Sequence, residues 1–238
     1  MFKTPRTRAL VFAGTVLGAG LPARASAQPT IRTTLPPITV TAQKEPEDPQ
    51  NLPVSVTTVL GDTITAAGLE SISQAGWFAP NAFFNEFTAR KLSNARFRGI
   101  GASPSNPGVT SYIDGVPQLN ANSSSIELLD IGQIEFVRGP QSALFGRNAV
   151  GGIINVMSAR PSMSAWSGGV IAPYGNYNNG EFRASTSGPI VADTLAIGLG
   201  LGYSRRDGYT KNDVTGNDLD SRAALFGKAQ VLWRPTAQ

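Results

Sequence analysis

The 238-residue chain contains neither histidine nor cysteine. That excludes Ser-His-Asp and Cys-His nucleophile systems, histidine general bases, Cys/His zinc sites, thiol redox chemistry and disulfides. A formal charge of +4, from 20 Lys+Arg against 16 Asp+Glu, taken whole points to a nucleic-acid or membrane-surface partner. Charged residues at 15% are sparse and glycine, at 26, is abundant, so β structure with much turn is expected, in one or two domains.

Residues 1–27 read as a secretory signal peptide. Lys3, Arg6 and Arg8 form a basic n-region, Ala9 to Leu21 an apolar stretch, and Ala25-Ser26-Ala27 a small-residue cleavage site. The apolar stretch is 13 residues long, too short to cross a bilayer, which takes about 20. All four basic residues of this segment, Arg24 included, leave with it, and no acid does. The mature chain from Gln28 then has 16 basic and 16 acidic residues and no net charge. The hint of a nucleic-acid partner is thereby assigned to an export signal.

Gln28 to Asn51 is punctuated by Pro29, Pro36, Pro37, Pro46 and Pro49 and reads as an extended, mobile arm. Within it, Ile38-Thr39-Val40-Thr41-Ala42 alternates apolar and polar residues. On its own this run is either a piece of linker or a strand poised to join another protein's sheet. Residues 52–161 are expected to form an α+β domain. Strands are predicted at Val54–Val59, Arg96–Ile100, Ser111–Ile113, Ile134–Val137 and Ile153–Met157, with a turn at Asp114-Gly115. Asp62 is placed as the cap of a short helix ending at Gly68. Ser71 and Gln74 resemble a capping box for a helix ending at Pro80, and Gln141 to Phe145 is predicted as one helical turn closed by Gly146. Residues 101–108 and 117–125 are loops.

After Pro161 the pattern changes to long strands with strict alternation, predicted at 166–174, 181–190, 194–204 and 222–234. In the third, Leu195, Ile197, Leu199, Leu201 and Tyr203 share one face, while Ala196, Gly198, Gly200, Gly202 and Ser204 share the other. One apolar face with aromatics near the strand ends fits a transmembrane β-barrel, the alternative being a soluble β-sandwich. Short connections at 175–180 and 191–193 and a long polar one at 205–221 fit the barrel. If strand 166–174 runs outward, residues 205–221 are external.

No phosphate-binding loop or nucleophile elbow is present, and the acidic run around Asp213, Asp218 and Asp220 fails calcium-loop spacing. Arg90, Lys91, Arg96 and Arg98, interleaved with Phe87 and Phe97, are assigned to a wet contact between domain and barrel wall. A carboxylate enzyme built on Asp114 and Glu135 is disfavoured: Asp114 belongs to a turn, and Glu135 is expected to face outward on an alternating strand. The chain is therefore read as a non-enzyme with no cofactor or resident metal.

The order of motifs closely resembles the N-terminal part of TonB-dependent outer-membrane receptors, especially the iron–siderophore type. The resemblance rests on Ile38 to Ala42, Arg98-Gly99, Asp114-Gly115, Arg138-Gly139-Pro140, Gly146, and Gly151-Gly152 leading into Ile153-Ile154-Asn155-Val156. It implies a plug domain seated in a 22-stranded barrel and a TonB box at Ile38, Thr39, Val40, Thr41 and Ala42 that pairs with the periplasmic domain of TonB. It further implies outer-membrane lipid and an iron–siderophore or similar ligand as partners, and no nucleic acid. Apex loops of such plugs help bind ligand, which carries over weakly to Ser103, Ser105, Asn106, Gln118 and Asn120. Four strands cannot close a barrel, since an open edge in hydrocarbon leaves backbone groups unpaired. A partial sequence of a full receptor is therefore expected, the alternative being a stand-alone plug that binds TonB without transport.

Overall fold

The computed structural model describes residues 38–41, 44–85, 94–101, 103, 106–118 and 126–235. The signal peptide, the first part of the arm, Ala42, Arg90, Lys91, Ser105 and Asn120 lie outside them.

The plug is an α+β unit around one mixed sheet. β1 (Ser55–Leu60) is an edge strand that leads into α1 (Gly61–Ala66) and α2 (Ile72–Ala75). A hairpin of β2 (Ala82–Asn85) and β3 (Asn94–Phe97) stands apart. β4 (Val109–Ile113), β5 (Val116–Gln118), β6 (Ile131–Arg138) and β7 (Gly152–Ser158) complete the main sheet, ordered β1-β6-β7-β4-β5, with α3 (Ser142–Phe145) between β6 and β7. Only β4 and β7 are parallel neighbours.

Alternation along β6 and β7 builds two cores. Ile134 and Phe136 pair with Val156 and Ile154, and these four face α1 and α2 in the larger core, with Val59, Ile64, Ile72, Phe97 and Leu128. Glu135 and Val137 pair with Asn155 and Ile153 on the opposite face. There Val137 and Ile153 join Val40, Tyr112 and Ala149 in a second core, with Leu52, Val54, Val56 and Phe145 packed against it. Gly152 begins β7 at φ 139°, and a Cβ there would lie 2.1 Å from the Val137 carbonyl oxygen. Backbone conformation and space both require glycine at that position.

Several local expectations are corrected. Asp62 lies in the first turn of α1 but does not cap it; Leu60 holds the cap position without a side-chain bond. Ser71 does precede α2, but its hydroxyl pairs with Ser73 Oγ at 2.9 Å, and Gln74 Oε1 accepts from the Glu70 N–H instead. The helix ends at Ala75, and a 3-10 turn Gly76–Phe78 replaces its predicted continuation. Asp114 and Gly115 have φ 49° and 84°, as a tight hairpin turn requires.

Beyond the plug runs an antiparallel sheet of β8 (Ser167–Ile171), β10 (Asn179–Val191), β11 (Leu195–Arg206) and β14 (Arg222–Trp233), ordered β14-β11-β10-β8. A short β9 (Tyr174–Gly175) extends the first strand along β10. The long connection holds a small ribbon of β12 (Thr210–Lys211) and β13 (Asp218–Leu219). The apolar face is not a sandwich core: Leu199, Leu201, Leu225, Val231 and Trp233 are all exposed. The small-residue face packs on the plug, where Ala196 is fully buried. A Cβ on Gly200 would sit 2.9 Å from Leu129 Cδ2, so glycine lets the wall approach the plug. No closed barrel forms among the described residues. No helix among them is long and apolar enough to cross a membrane.

Candidate TonB box and plug gate

Four residues of the proposed box are placed, and the arm is not free. Ile38 and Thr39 are exposed, but Val40 has no solvent exposure and lies in the second core. Val40 N–H donates to the Glu47 carbonyl at 2.9 Å, and Glu47 N–H donates back to the Val40 carbonyl at 2.9 Å. The segment thus folds on itself, and Asp48 caps a short 3-10 turn Pro49–Asn51 by accepting from Gln50 N–H. The expectation of an extended arm fails over these residues. An apolar residue at position 40 finds the uncovered second face of the sheet, whose burial outweighs the chain entropy of staying loose.

The lock on this hairpin is polar. Thr41 N–H donates to Glu135 Oε1 at 2.8 Å, and its hydroxyl lies 3.4 and 3.3 Å from the two carboxylate oxygens. Gln133 Nε2 donates to Glu135 Oε1 at 2.8 Å and to the Thr39 carbonyl at 3.0 Å. Asn155 Nδ2 donates to Thr41 Oγ1 at 2.8 Å and approaches Glu135 Oε2 at 3.3 Å. Glu135 is fully buried, which corrects the expectation that it faces outward. Alternation does turn it away from the larger core, but the arm covers that face too. A buried carboxylate needs several donors, and here Thr41 of the box supplies two of them, its N–H and its hydroxyl. Gln133 carried no signal in the sequence and Asn155 only its place in the Ile153 to Val156 motif, because their contacts to the arm depend on strand register.

Beside the box, Tyr112 OH donates to the Phe145 carbonyl at 2.7 Å, and the two rings meet edge to face at 5.0 Å. Burial raises the Tyr112 phenol above its ordinary range. Lys44 Nζ lies 5.4 Å from the Phe145 ring centroid. A cavity of about 990 Å³ reaches from Thr41 and Lys44 to Gln230 and Leu232, near the Leu195–Trp233 end of the wall sheet.

The plug motif residues divide between turns and one buried anchor. Arg98 and Gly99 form the turn after β3 at φ 51° and 80°. Arg138, at the end of β6, donates Nη1 to the Pro80 carbonyl at 2.6 Å and Nη2 to Thr57 Oγ1 at 2.7 Å. Burial, and secondarily the Arg98 guanidinium, lower its pKa from the ordinary arginine value. Gly139 N–H donates to the Gly151 carbonyl, Pro140 follows, and Gly146 ends α3 at φ 75°. Asp114 accepts from Ser158 N–H at 2.8 Å and Ser158 Oγ at 2.7 Å. Two side chains tie the plug to the wall: Lys228 donates to the Asp130 carbonyl, and Arg183, paired with Glu181, donates to the Leu69 carbonyl at 3.1 Å.

Of the expected ligand residues, Ser103 and Asn106 are joined by a backbone bond of 3.0 Å, and Gln118 Nε2 donates to the Val116 carbonyl at 3.2 Å. A cleft exists at the opposite end of the wall from the box. It holds about 600 Å³ between Trp77, Phe83 and Asn85 of the plug and Arg205, Arg206 and Arg222 of the wall. Among the described residues no group of acidic side chains could hold a metal ion.

Residues 48–153 match the family model described as TonB-dependent Receptor Plug Domain. The pesticin receptor of Yersinia pestis is 30% identical over 93% of this chain, which covers 33% of that protein. The ferrioxamine B receptor of Salmonella typhimurium is 31% identical over 80% of this chain and is covered to 27%. The crystal structure of the ferric yersiniabactin uptake receptor FyuA from Yersinia pestis superposes with a TM-score of 0.70 at 30% identity, over 75% of this chain and 28% of that one. The chain thus spans about a third of the length of the relatives it matches. Residues 48–153 are thus a TonB-dependent receptor plug domain, and the chain is similar to the N-terminal part of TonB-dependent receptors.

Proposed function

We propose that this sequence serves TonB-dependent uptake of a ferric siderophore or similar scarce chelate across a bacterial outer membrane, after export through a signal peptide cleaved near Gln28. Ile38 to Ala42 is the TonB box, and the plug is the gate. The observation that carries the reading is the box itself: its central residue, Val40, is buried in the second core and pairs by main-chain bonds with Glu47 of the same arm, while its neighbour Thr41 is bonded to Glu135. A partner strand that replaced those bonds would gain purchase on the plug core without any catalytic group. Relatives described as receptors for pesticin, ferrioxamine B and ferric yersiniabactin support the transport class.

The test is capture of the chain by the periplasmic domain of TonB, with Val40→Pro as the variant. Proline removes the N–H and disfavours the strand. Capture by the wild type and loss in the variant supports box pairing; equal retention of both refutes it. A second reading is a plug that binds TonB without transporting, for which the docked box by itself suffices. Iron uptake that depends on TonB in cells expressing the sequence selects the first reading. Capture without uptake selects the second.

A further inference from the structure

We infer that Met157 is a site of oxidative modification by peroxide, and that its sulfoxide releases the docked arm. Alternation along β7 places Ile153, Asn155 and Met157 on the second face of the main sheet, beneath the arm. Ile153 and Asn155 are buried there, whereas Met157 is only half-buried. The cover supplied by the arm therefore thins out at this side chain. Its sulfur lies 3.5 Å from the hydroxyl of Thr41, the residue whose N–H bonds Glu135. Met157 also lines the cavity of about 990 Å³ at the box end of the wall, with Lys44, Tyr112 and Phe145. Room for a small oxidant thus adjoins a sulfur that touches the arm. The chain has no cysteine, and its three methionines are Met1, Met157 and Met163. Met1 belongs to the expected signal peptide, so Met157 and Met163 are the oxidisable sulfurs of the mature chain.

The chemistry is a two-electron oxygen transfer. A lone pair of Met157 Sδ attacks one oxygen of hydrogen peroxide, the O–O bond breaks and an S–O bond forms. Hydroxide leaves, takes the proton from the new S–OH group and becomes water. The thioether is oxidised to the sulfoxide and the peroxide is reduced. Thr41 has one hydroxyl proton and three acceptors around it: Glu135 Oε1 and Oε2 at 3.4 and 3.3 Å, and Met157 Sδ. A thioether accepts weakly, so the carboxylate holds the larger share of that proton. A sulfoxide is polar and competes for it. Sulfur stands only 3.5 Å from Thr41 Oγ1, so an oxygen added on that side would fall inside the roughly 2.7 Å that an O–H···O bond takes. The arm must then move off β7. Turned into the cavity instead, the sulfoxide draws its side chain toward water and away from Thr41. Either orientation removes a contact that keeps Thr41 beside Glu135. On the box reading, an oxidised chain would offer Ile38 to Ala42 to a partner strand more often.

The full chain in detergent micelles is treated with hydrogen peroxide. Peptide mapping by mass spectrometry follows the added oxygen on Met157 and Met163, and hydrogen exchange reports the Thr41 N–H that bonds Glu135. Met157 should oxidise within about thirtyfold of its rate in the unfolded chain, because susceptibility follows exposure. In the oxidised chain, exchange at Thr41 should rise by about fivefold or more, and a methionine sulfoxide reductase should reverse the rise. Exchange in the β1–β6 ladder should stay unchanged. Met163→Leu should leave both effects in place. Met157→Leu, which conserves volume without an oxidisable sulfur, should exchange within about twofold of the parent and ignore peroxide. Oxidation of Met157 slower than that bound overturns the site. A Met157 sulfoxide with unchanged Thr41 exchange overturns the release, as does a peroxide response that survives Met157→Leu or an equal rise in the β1–β6 ladder. The exchange readout needs no TonB, so failed capture by TonB overturns the box reading and leaves this inference standing.

Discussion

Replacing Glu135 by glutamine is expected to release the box without unfolding the plug. The carboxylate is buried and faces four donor groups: Thr41 N–H, Thr41 Oγ1, Gln133 Nε2 and Asn155 Nδ2. An amide of the same shape keeps one acceptor oxygen but loses the charge, and its NH₂ meets the Asn155 Nδ2 donor, with only the Thr41 hydroxyl on that side able to accept from it. Hydrogen bonds to a charged group contribute about 1.5–3 kcal/mol each, and the shortest from the arm to this carboxylate is Thr41 N–H at 2.8 Å. Loss of about 2 kcal/mol from the docked state raises the undocked fraction about thirtyfold. Because the chain has no cysteine, Val40→Cys supplies a unique thiol that is buried while the arm is docked. Its labelling rate by a maleimide reports undocking, and adding Glu135→Gln should accelerate it by about ten- to thirtyfold. A rate within twofold of the Val40→Cys parent, at an unchanged thermal transition, would refute the argument that this carboxylate holds the box.

Gly152→Ala is expected to cost about 3 kcal/mol or more, since the new Cβ meets the Val137 carbonyl at 2.1 Å in a backbone conformation that disfavours side chains; denaturant unfolding of the full chain measures it. Gly200→Leu should destabilise plug seating by about 1–3 kcal/mol, because the space beyond a Cβ is filled by Leu129. Leu129→Ala in the same chain should restore part of that loss, whereas simple additivity in the double-mutant cycle would argue against direct contact. Arg138→Lys leaves a single ammonium to serve both the Pro80 carbonyl and Thr57 Oγ1. A loss of about 1.5–3 kcal/mol in unfolding free energy is expected, and a loss below about 0.5 kcal/mol would show that the fork is not needed.

The sequence by itself determined the element types. Alternation in 194–204 already separates the apolar face from the glycine face. Asp114-Gly115 reads as a turn, because these signals are local and follow from strand period and turn stereochemistry, whereas the Arg138 to Gly152 run points to the plug through its resemblance to the family. Tertiary structure alone decided what each face meets. Glu135 looks outward in the strand pattern, yet the arm 94 residues away covers it, and no local period encodes that contact. Asn155 and Gln133 become box contacts only through the β6–β7 register, and Trp77 comes to share a cleft with Arg206 and Arg222 only through plug seating. The absence of histidine and cysteine that begins the reading fits the proposed gate, which would work by main-chain pairing, one buried carboxylate and the packing of Val40. The positions of all three depend on long-range chain closure, which composition and periodicity do not specify.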